Sequence, residues 1–402
     1  MNATDDDSPI DMPGRDELAA ELSNTAFAFR GYNVTNLGRS SELLAHKMYG
    51  PILEEYLIRG AKLCSEVKRR PVDLIARVRE QRDTSLATYD EAIALVVSVE
   101  MAQIEMLKRV HGIFLSDASF VFGFSLGEIA ALVAANVIEL EAALRIPLMM
   151  SDDAAELAGD VTLGVLFSRK GELSRKDVHR LCQEINLAGQ GVIGVSAYLA
   201  PNSMLLIGQG DTLDRFKKEM KSLTDERLFL RRNEHRWPPL HTPIVWQRNI
   251  NNRSQHLMHT MPGGLQAPHP PVFSLVTGTI GYHESNTREI IGRWVDEPQH
   301  LWEAVDHTLA KGIETVIHVG PQPNIIPATF GRLAANVANQ KKDSRGMRAL
   351  STIANRPWLG ALLPKRASLL RAPDVRQLNL EDWLLEQTVR PSEATNRESV
   401  ES

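Results

Sequence analysis

The stretch Val121-Phe122-Gly123-Phe124-Ser125-Leu126-Gly127-Glu128-Ile129-Ala130-Ala131-Leu132 (VFGFSLGEIAAL) decides how the chain is read. A run that reads as a strand, 118–122, meets Gly-Phe-Ser-Leu-Gly, and a run that reads as a helix begins at Leu126. The pattern fits G-x-S-x-G. A serine at a tight strand-to-helix turn points its hydroxyl away from the sheet edge, and flanking glycines let the backbone close around it. The amide of Leu126, at the helix N-terminus, is placed to donate to an oxyanion where the helix dipole also favours negative charge. Glu128 follows Ser125 at capping-box spacing, so the serine reads either as a nucleophile or as the N-cap of the helix.

Outward from the turn, strand-like and helix-like runs alternate. TAFAFRGYN, from Thr25, reads as a buried strand ending in a glycine turn; residues 41–82 are helical in pattern, with a break at Pro71. DEAIALVVSVEMAQIEMLKRV, from Asp90, is apolar on nearly every face, which predicts a helix buried on most sides. PVFSLVTG, TREIIGRWV and ETVIHVGPQPN read as strand, helix, and closing strand with its loop. Such alternation implies a mostly parallel sheet of α/β-hydrolase-like type. Between 161 and 232 the order becomes β-α-β-β-α-β, predicting an inserted ferredoxin-like small subdomain. The expected organisation is an acidic flexible tail over 1–22, a large α/β domain over 23–160 and 233–335, the insertion over 161–232, and a basic C-terminal extension over 336–402. The tail carries seven acids and one arginine and is at most partly helical near DELAAELS. PWLGALL and LEDWLLEQ suggest that the extension packs on the body or on a partner.

Composition narrows the function. Of the 402 residues, 43% are hydrophobic and 24% charged, as in ordinary globular chains, and the net charge of -5 supplies no basic field for nucleic acid or an acidic membrane. Two cysteines build neither a disulfide framework nor a thiolate zinc site. The acidic N-terminus lacks signal-peptide features and no apolar run has membrane-spanning length, so the expected location is the cytoplasm. His256, His259 and His269 read as a solvated Pro/Gly-rich loop rather than a metal site. No P-loop or strand-linked G-x-G-x-x-G is present.

G-x-S-L-G-E with its Ala-rich helix resembles the malonyl-CoA:acyl carrier protein transacylase family, whose fold also serves as the acyltransferase domain of fatty-acid and polyketide synthases. FAFRG, PPLHTPIV, SLVTG and GIETVIHVGPQPNI resemble further family segments in the same order, over roughly 25–335. The resemblance implies ping-pong acyl transfer through Ser125, with His241 as general base, oriented by a backbone carbonyl near Trp294. It implies no tightly bound cofactor and no metal; acyl-CoA and a phosphopantetheinyl acyl carrier protein are the substrates, the carrier being the partner.

The chain departs from the family pattern at informative places. The residue before the nucleophile is Phe124, where the family has histidine. The Gln-rich oxyanion loop is replaced by RGYNVTN, leaving Tyr32 or Asn33 to supply the second oxyanion donor, and Thr-Gln-Pro is replaced by Thr88-Tyr89-Asp90. Met150 stands where malonyl-specific members carry the arginine that pairs with the malonyl carboxylate. Phe124, Met150, Tyr89 and Trp294 are therefore expected to line an apolar acyl pocket for a non-carboxylated acyl group. The alternatives are a hydrolase on the same fold and a non-catalytic carrier-binding module.

Overall fold

The structure is a computed structural model that describes residues 12–343 and 365–387. Its strands form two sheets. The larger contains β1 (Thr25–Phe29), β2 (Phe120–Gly123), β7 (Val272–Ser274), β8 (Thr279–Ile280), β9 (Thr315–Val319) and β10 (Arg376–Asn379), in the spatial order β10-β9-β1-β2-β7-β8. All neighbours are parallel except β7 and β8. The smaller, wholly antiparallel sheet contains β3 (Val161–Ser168), β4 (Ile193–Ala200), β5 (Ser203–Gln209) and β6 (Leu228–Asn233), in the order β4-β5-β3-β6.

The helices are α1 (Arg15–Ala20), α2 (Ser40–Ala45), α3 (Gly50–Lys68), α4 (Leu74–Arg79), α5 (Tyr89–Met106), α6 (Leu126–Ala134) and α7 (Leu140–Leu157) before the smaller sheet. Within it lie α8 (Arg175–Leu187) and α9 (Thr212–Glu219). After it come α10 (Ile250–Thr260), α11 (Thr287–Gly292), α12 (Leu301–Lys311), α13 (Ile325–Asp343) and α14 (Leu380–Glu386). No helix among the described residues is long and apolar enough to cross a membrane.

Burial follows from pattern. Every residue of β1 and β2 is buried, as expected of parallel strands covered on both faces. In α5 all but two residues are buried, and its apolar circumference suits a helix wedged between α3, α6 and α7. The smaller sheet divides its side chains by alternation. Leu163, Leu205 and Ile207 join the main core, whereas Leu166, Met204 and Leu206 form a second core with Leu181 and Phe216 of α8 and α9. A β-bulge between Val195 and Ala197 changes the register of β4 at Ser196, whose hydroxyl donates to the Leu240 carbonyl (3.2 Å), one residue before His241.

The chain ends depart from the sequence expectation. The segment 12–22 is not a loose tail. Leu18 is fully buried and Leu22 nearly so, and Arg15 Nε donates to the His111 carbonyl at 2.6 Å. Two leucines four residues apart hide one helical face within an acid-rich composition; residues 1–11 lie outside the described residues. The boundary expected at 336 falls inside α13, which continues to Asp343. PWLGALL lies outside the described residues, whereas LEDWLLEQ forms α14 and enters the main core directly after β10 pairs with β9. His256 and His259 lie on α10 rather than in a loop, because Ile250, Ser254 and Met258, spaced four apart, bury one face.

Trp383 joins the first and last of the described segments. It is fully buried, its Nε1 donates to the Pro13 carbonyl (2.8 Å), and its ring meets the His111 edge at 4.9 Å. Trp383→Ala is expected to lower unfolding free energy by about 3–5 kcal/mol, read as a shifted denaturant midpoint.

Candidate active site

β2 ends at Gly123 and α6 begins at Leu126, so Ser125 sits at the carboxyl edge of a central strand, where ligands gather in open α/β sheets. Its backbone has φ 56° and ψ −117°, a conformation that costs a non-glycine residue about 1–3 kcal/mol and persists only where the surroundings enforce it. The turn is so tight that a Cβ on Gly123 would lie 2.0 Å from the Gly127 carbonyl oxygen.

The serine side chain makes no cap bond to the helix. Its hydroxyl instead donates to His241 Nε2 at 2.7 Å. The capping-box spacing is likewise unused by Glu128. That buried carboxylate accepts from the Leu275 amide (3.1 Å) and the Tyr282 hydroxyl (2.7 Å), and burial pushes its pKa up to about 7.

His241 lies in the segment after β6, is 3% exposed, and also has a positive φ of 64°. Its backbone N–H donates to the Val295 carbonyl (2.7 Å) and its ring Nδ1 to the Trp294 carbonyl (2.7 Å). A carbonyl only accepts, so Nδ1 carries the proton and Nε2 faces Ser125 with its lone pair. Burial pushes the imidazole pKa down to about 4, the Trp294 carbonyl opposing this in part. The ring is therefore neutral at pH 7, as a base must be before it takes the serine proton.

Of the expected oxyanion donors, the Leu126 N–H, at the first position of α6, has no acceptor among the described residues. The loop after β1 abuts the turn that carries Ser125, since a Cβ on Gly31 would fall 2.6 Å from the Phe124 carbonyl oxygen. Tyr32 lines the cavity beside Ser125, and its N–H has no acceptor among the described residues. Asn33 is committed elsewhere, its N–H donating to Asn36 Oδ1 (3.1 Å) and its Nδ2 to the Pro323 carbonyl (3.1 Å). The loop is held by Arg30, 1% exposed, which donates to the Gly31 carbonyl (2.9 Å), Asn36 Oδ1 (2.7 Å) and the Pro321 carbonyl.

A cavity of about 200 Å³ opens beside Ser125 and His241, between the turn and the inner face of the smaller sheet. Phe124 and Tyr89 line it, with Leu163 and Val165 of β3 and Leu205 and Ile207 of β5. Tyr32 packs edge-on against Tyr89 (4.8 Å) and Trp237 (5.9 Å). The only formally charged residue among its described lining is Arg332, an exposed residue whose Nε donates to the Ala328 carbonyl.

Met150 and Trp294 do not line this cavity. Met150 is buried in the main core on α7, which packs against α3 and α5; a position in sequence register does not fix which helix face it occupies. Trp294 stands behind Ser125 and His241, its Nε1 donating to the Ser125 carbonyl (2.8 Å) and its ring edge-on to His241 at 5.5 Å. Gln299, absent from the sequence reading, accepts the Ser125 N–H on Oε1 at 3.0 Å. A glutamine after Pro298 carries no motif that would have marked it.

No family model matches the sequence. Solved structures do resemble this one. FabD from Acinetobacter baumannii is 15% identical with a TM-score of 0.63, over 90% of this chain and 98% of that one. An acyl carrier protein S-malonyltransferase from Vibrio cholerae is 19% identical with a TM-score of 0.60, over 76% of this chain and 92% of that one. The malonyl-transacylase in a complex with a type II polyketide synthase acyl-carrier protein is 19% identical with a TM-score of 0.59, over 76% and 91%. The mostly parallel sheet and its antiparallel companion thus give this chain the fold of the malonyl-CoA:acyl carrier protein transacylases.

Proposed function

We propose that the chain is a serine acyltransferase, moving an acyl group from a CoA thioester to a phosphopantetheinyl acyl carrier protein through acyl-Ser125. The observation that carries this reading is the 2.7 Å contact from the Ser125 hydroxyl to a neutral, carbonyl-anchored His241. In the proposed reaction Oγ attacks the thioester carbonyl while its proton passes to Nε2. The resulting oxyanion lies against the Leu126 amide at the positive end of α6, with the Tyr32 amide as second donor. Collapse expels the CoA sulfur, which takes the proton from His241. The carrier thiol then gives its proton to the same nitrogen and attacks acyl-Ser125; the ester C–Oγ bond breaks as His241 returns that proton to Oγ, and the carrier leaves as the new thioester. The choice of carrier as acceptor is supported by the fold and by the solved transacylase–carrier complex that shares it.

The acyl group we propose is uncharged, because the cavity lining offers no buried cation to a second carboxylate. Intact-mass measurement tests the whole reading. Incubation with a panel of acyl-CoAs is expected to add one acyl mass to the wild-type chain and none to Ser125→Ala. Adding holo carrier protein is expected to move that mass to the carrier. Label that leaves only to water would replace the transferase by a hydrolase, and absence of label with every donor would leave a carrier-binding module.

A further inference from the structure

Ser125 is gripped by its main chain as well as by its hydroxyl. Its N–H donates to Gln299 Oε1 (3.0 Å), and its carbonyl accepts from Trp294 Nε1 (2.8 Å) as well as from the Glu128 N–H (2.9 Å) of the helix it starts. Both side chains come from the short segment between α11 and α12. That segment also holds His241 twice, through the Trp294 carbonyl on Nδ1 and the Val295 carbonyl on the backbone N–H. Its far end is anchored in the smaller sheet, where the Gln299 N–H donates to the Ser196 carbonyl (2.8 Å) and the Gln299 carbonyl accepts from Tyr198 (2.9 Å). One stretch of chain therefore fixes the nucleophile, the base and the strand that walls the cavity.

We infer that Trp294 and Gln299 are positioning residues, which hold Ser125 in its positive-φ conformation and set the serine–histidine distance, so that six residues of one loop assemble the reacting pair. Packing alone does not explain Gln299. It is fully buried, and its Nε2 has no acceptor among the described residues, a penalty an apolar side chain of similar length would not carry. The one bond its amide side chain makes among the described residues is to Ser125. Its amide orientation is fixed by that bond, since the opposite orientation would set donor against donor. Trp294 in turn joins both members of the pair, its carbonyl on the histidine and its indole on the serine.

This inference rests on the proposed function only in taking Ser125 as the nucleophile. Its test therefore uses a probe that needs no acyl-CoA. An alkyl fluorophosphonate forms an Oγ–P bond as the P–F bond breaks; the hydroxyl proton passes to His241 and is lost to solvent as fluoride leaves. In Gln299→Met and in Trp294→Phe, the maximal labelling rate is expected to fall on the order of 10–100-fold, with the half-saturating probe concentration within about 2-fold of wild type, as for a misplaced rather than vacated site. The thermal midpoint of Gln299→Met is expected to stay close to that of wild type, since the orphaned Nε2 donor is removed while the Ser125 N–H loses its acceptor. Gln299→Glu adds a signature that a packing role lacks. When protonated it still offers a carbonyl to the Ser125 amide and is expected to label near the wild-type rate. As pH rises and it ionises, its charge opposes the anion forming at Ser125, so its rate relative to wild type is expected to fall. Wild-type labelling by Gln299→Met, rate losses that merely follow lost thermal stability, or a pH-independent ratio for Gln299→Glu would each overturn the assignment. Labelling behaviour as expected without acylation by any acyl-CoA would reject the transferase reading and leave the clamp standing.

Discussion

His241→Ala is expected to slow acylation of Ser125 about 10,000-fold, and Ser125→Ala to abolish it, with both variants folded by circular dichroism. The size follows from what the histidine supplies. No carboxylate among the described residues contacts the imidazole; its orienting partner is the neutral Trp294 carbonyl. The base therefore has no reserve of negative charge, and nothing else among the described residues contacts the serine hydroxyl to take its proton. The same burial shapes the pH profile. A base with its pKa pushed down to about 4 stays unprotonated through mildly acidic solution. The acylation rate at pH 5.5 is thus expected to remain close to its value at pH 7.5, whereas a histidine with its ordinary pKa near 6.5 would leave about a tenth. The sign is that of a depressed base: activity is kept above the folded-state value and lost as pH falls through it. An acidic limb centred near 6.5, in protein shown folded at that pH, would mean that the imidazole is not buried as described.

The meeting of Ser125 with His241 was legible because each sits in a short string with a recognisable local pattern. Glycines on both sides of Ser125 permit the sharp turn, and the strand before it and the helix after it mark where the turn falls. The carbonyl partner of His241 was legible too, because a backbone contact survives side-chain replacement. Side-chain destinations were not. The Trp294 indole was expected in the pocket and lies behind the nucleophile instead, because the direction of a side chain leaving a loop depends on neighbours distant in sequence. Met150 shows the same limit on a helix: no residue of α7 is among the described lining of the cavity, and the methionine packs into the main core. Asn33 was a plausible amide donor until Asn36, three residues on, took its N–H. The alternating order of strands and helices announced the parallel sheet. The edge strand β10 did not announce itself, since four residues beyond a basic stretch show no period long enough to read, whereas LEDWLLEQ, read as packing on the body or on a partner, supplies α14 to the main core. Arg30 illustrates a different blindness. A buried arginine looks like a surface residue in sequence, and only the fold reveals the loop carbonyls that satisfy it.

Discrimination among acyl groups is the second large expected effect. The cavity is walled by aliphatic side chains from β3 and β5 and by aromatic rings beside Ser125. Each methylene buried there contributes about 0.8 kcal/mol, or roughly fourfold in kcat/KM, so hexanoyl-CoA is expected to exceed acetyl-CoA by about 200-fold before the cavity is filled. Malonyl adds a carboxylate where the lining offers no buried cation, and desolvating an unpaired carboxylate costs several kcal/mol. Its kcat/KM is accordingly expected to lie at least about 100-fold below that of butyryl-CoA. Competition between paired acyl-CoAs, read by the mass added to Ser125, measures both ratios. Arg332 is the group that can defeat the expectation, being a cation at the cavity wall. Its exposure weakens any pairing it makes, because water screens a charge there. Should malonyl prove the preferred donor and Arg332→Ala remove that preference, the cavity would be a carboxylate site served from its rim. If the aliphatic wall sets the preference instead, Leu205→Trp is expected to shorten the best acyl chain in the same competition, since the added bulk fills the cavity and not the space between Ser125 and His241.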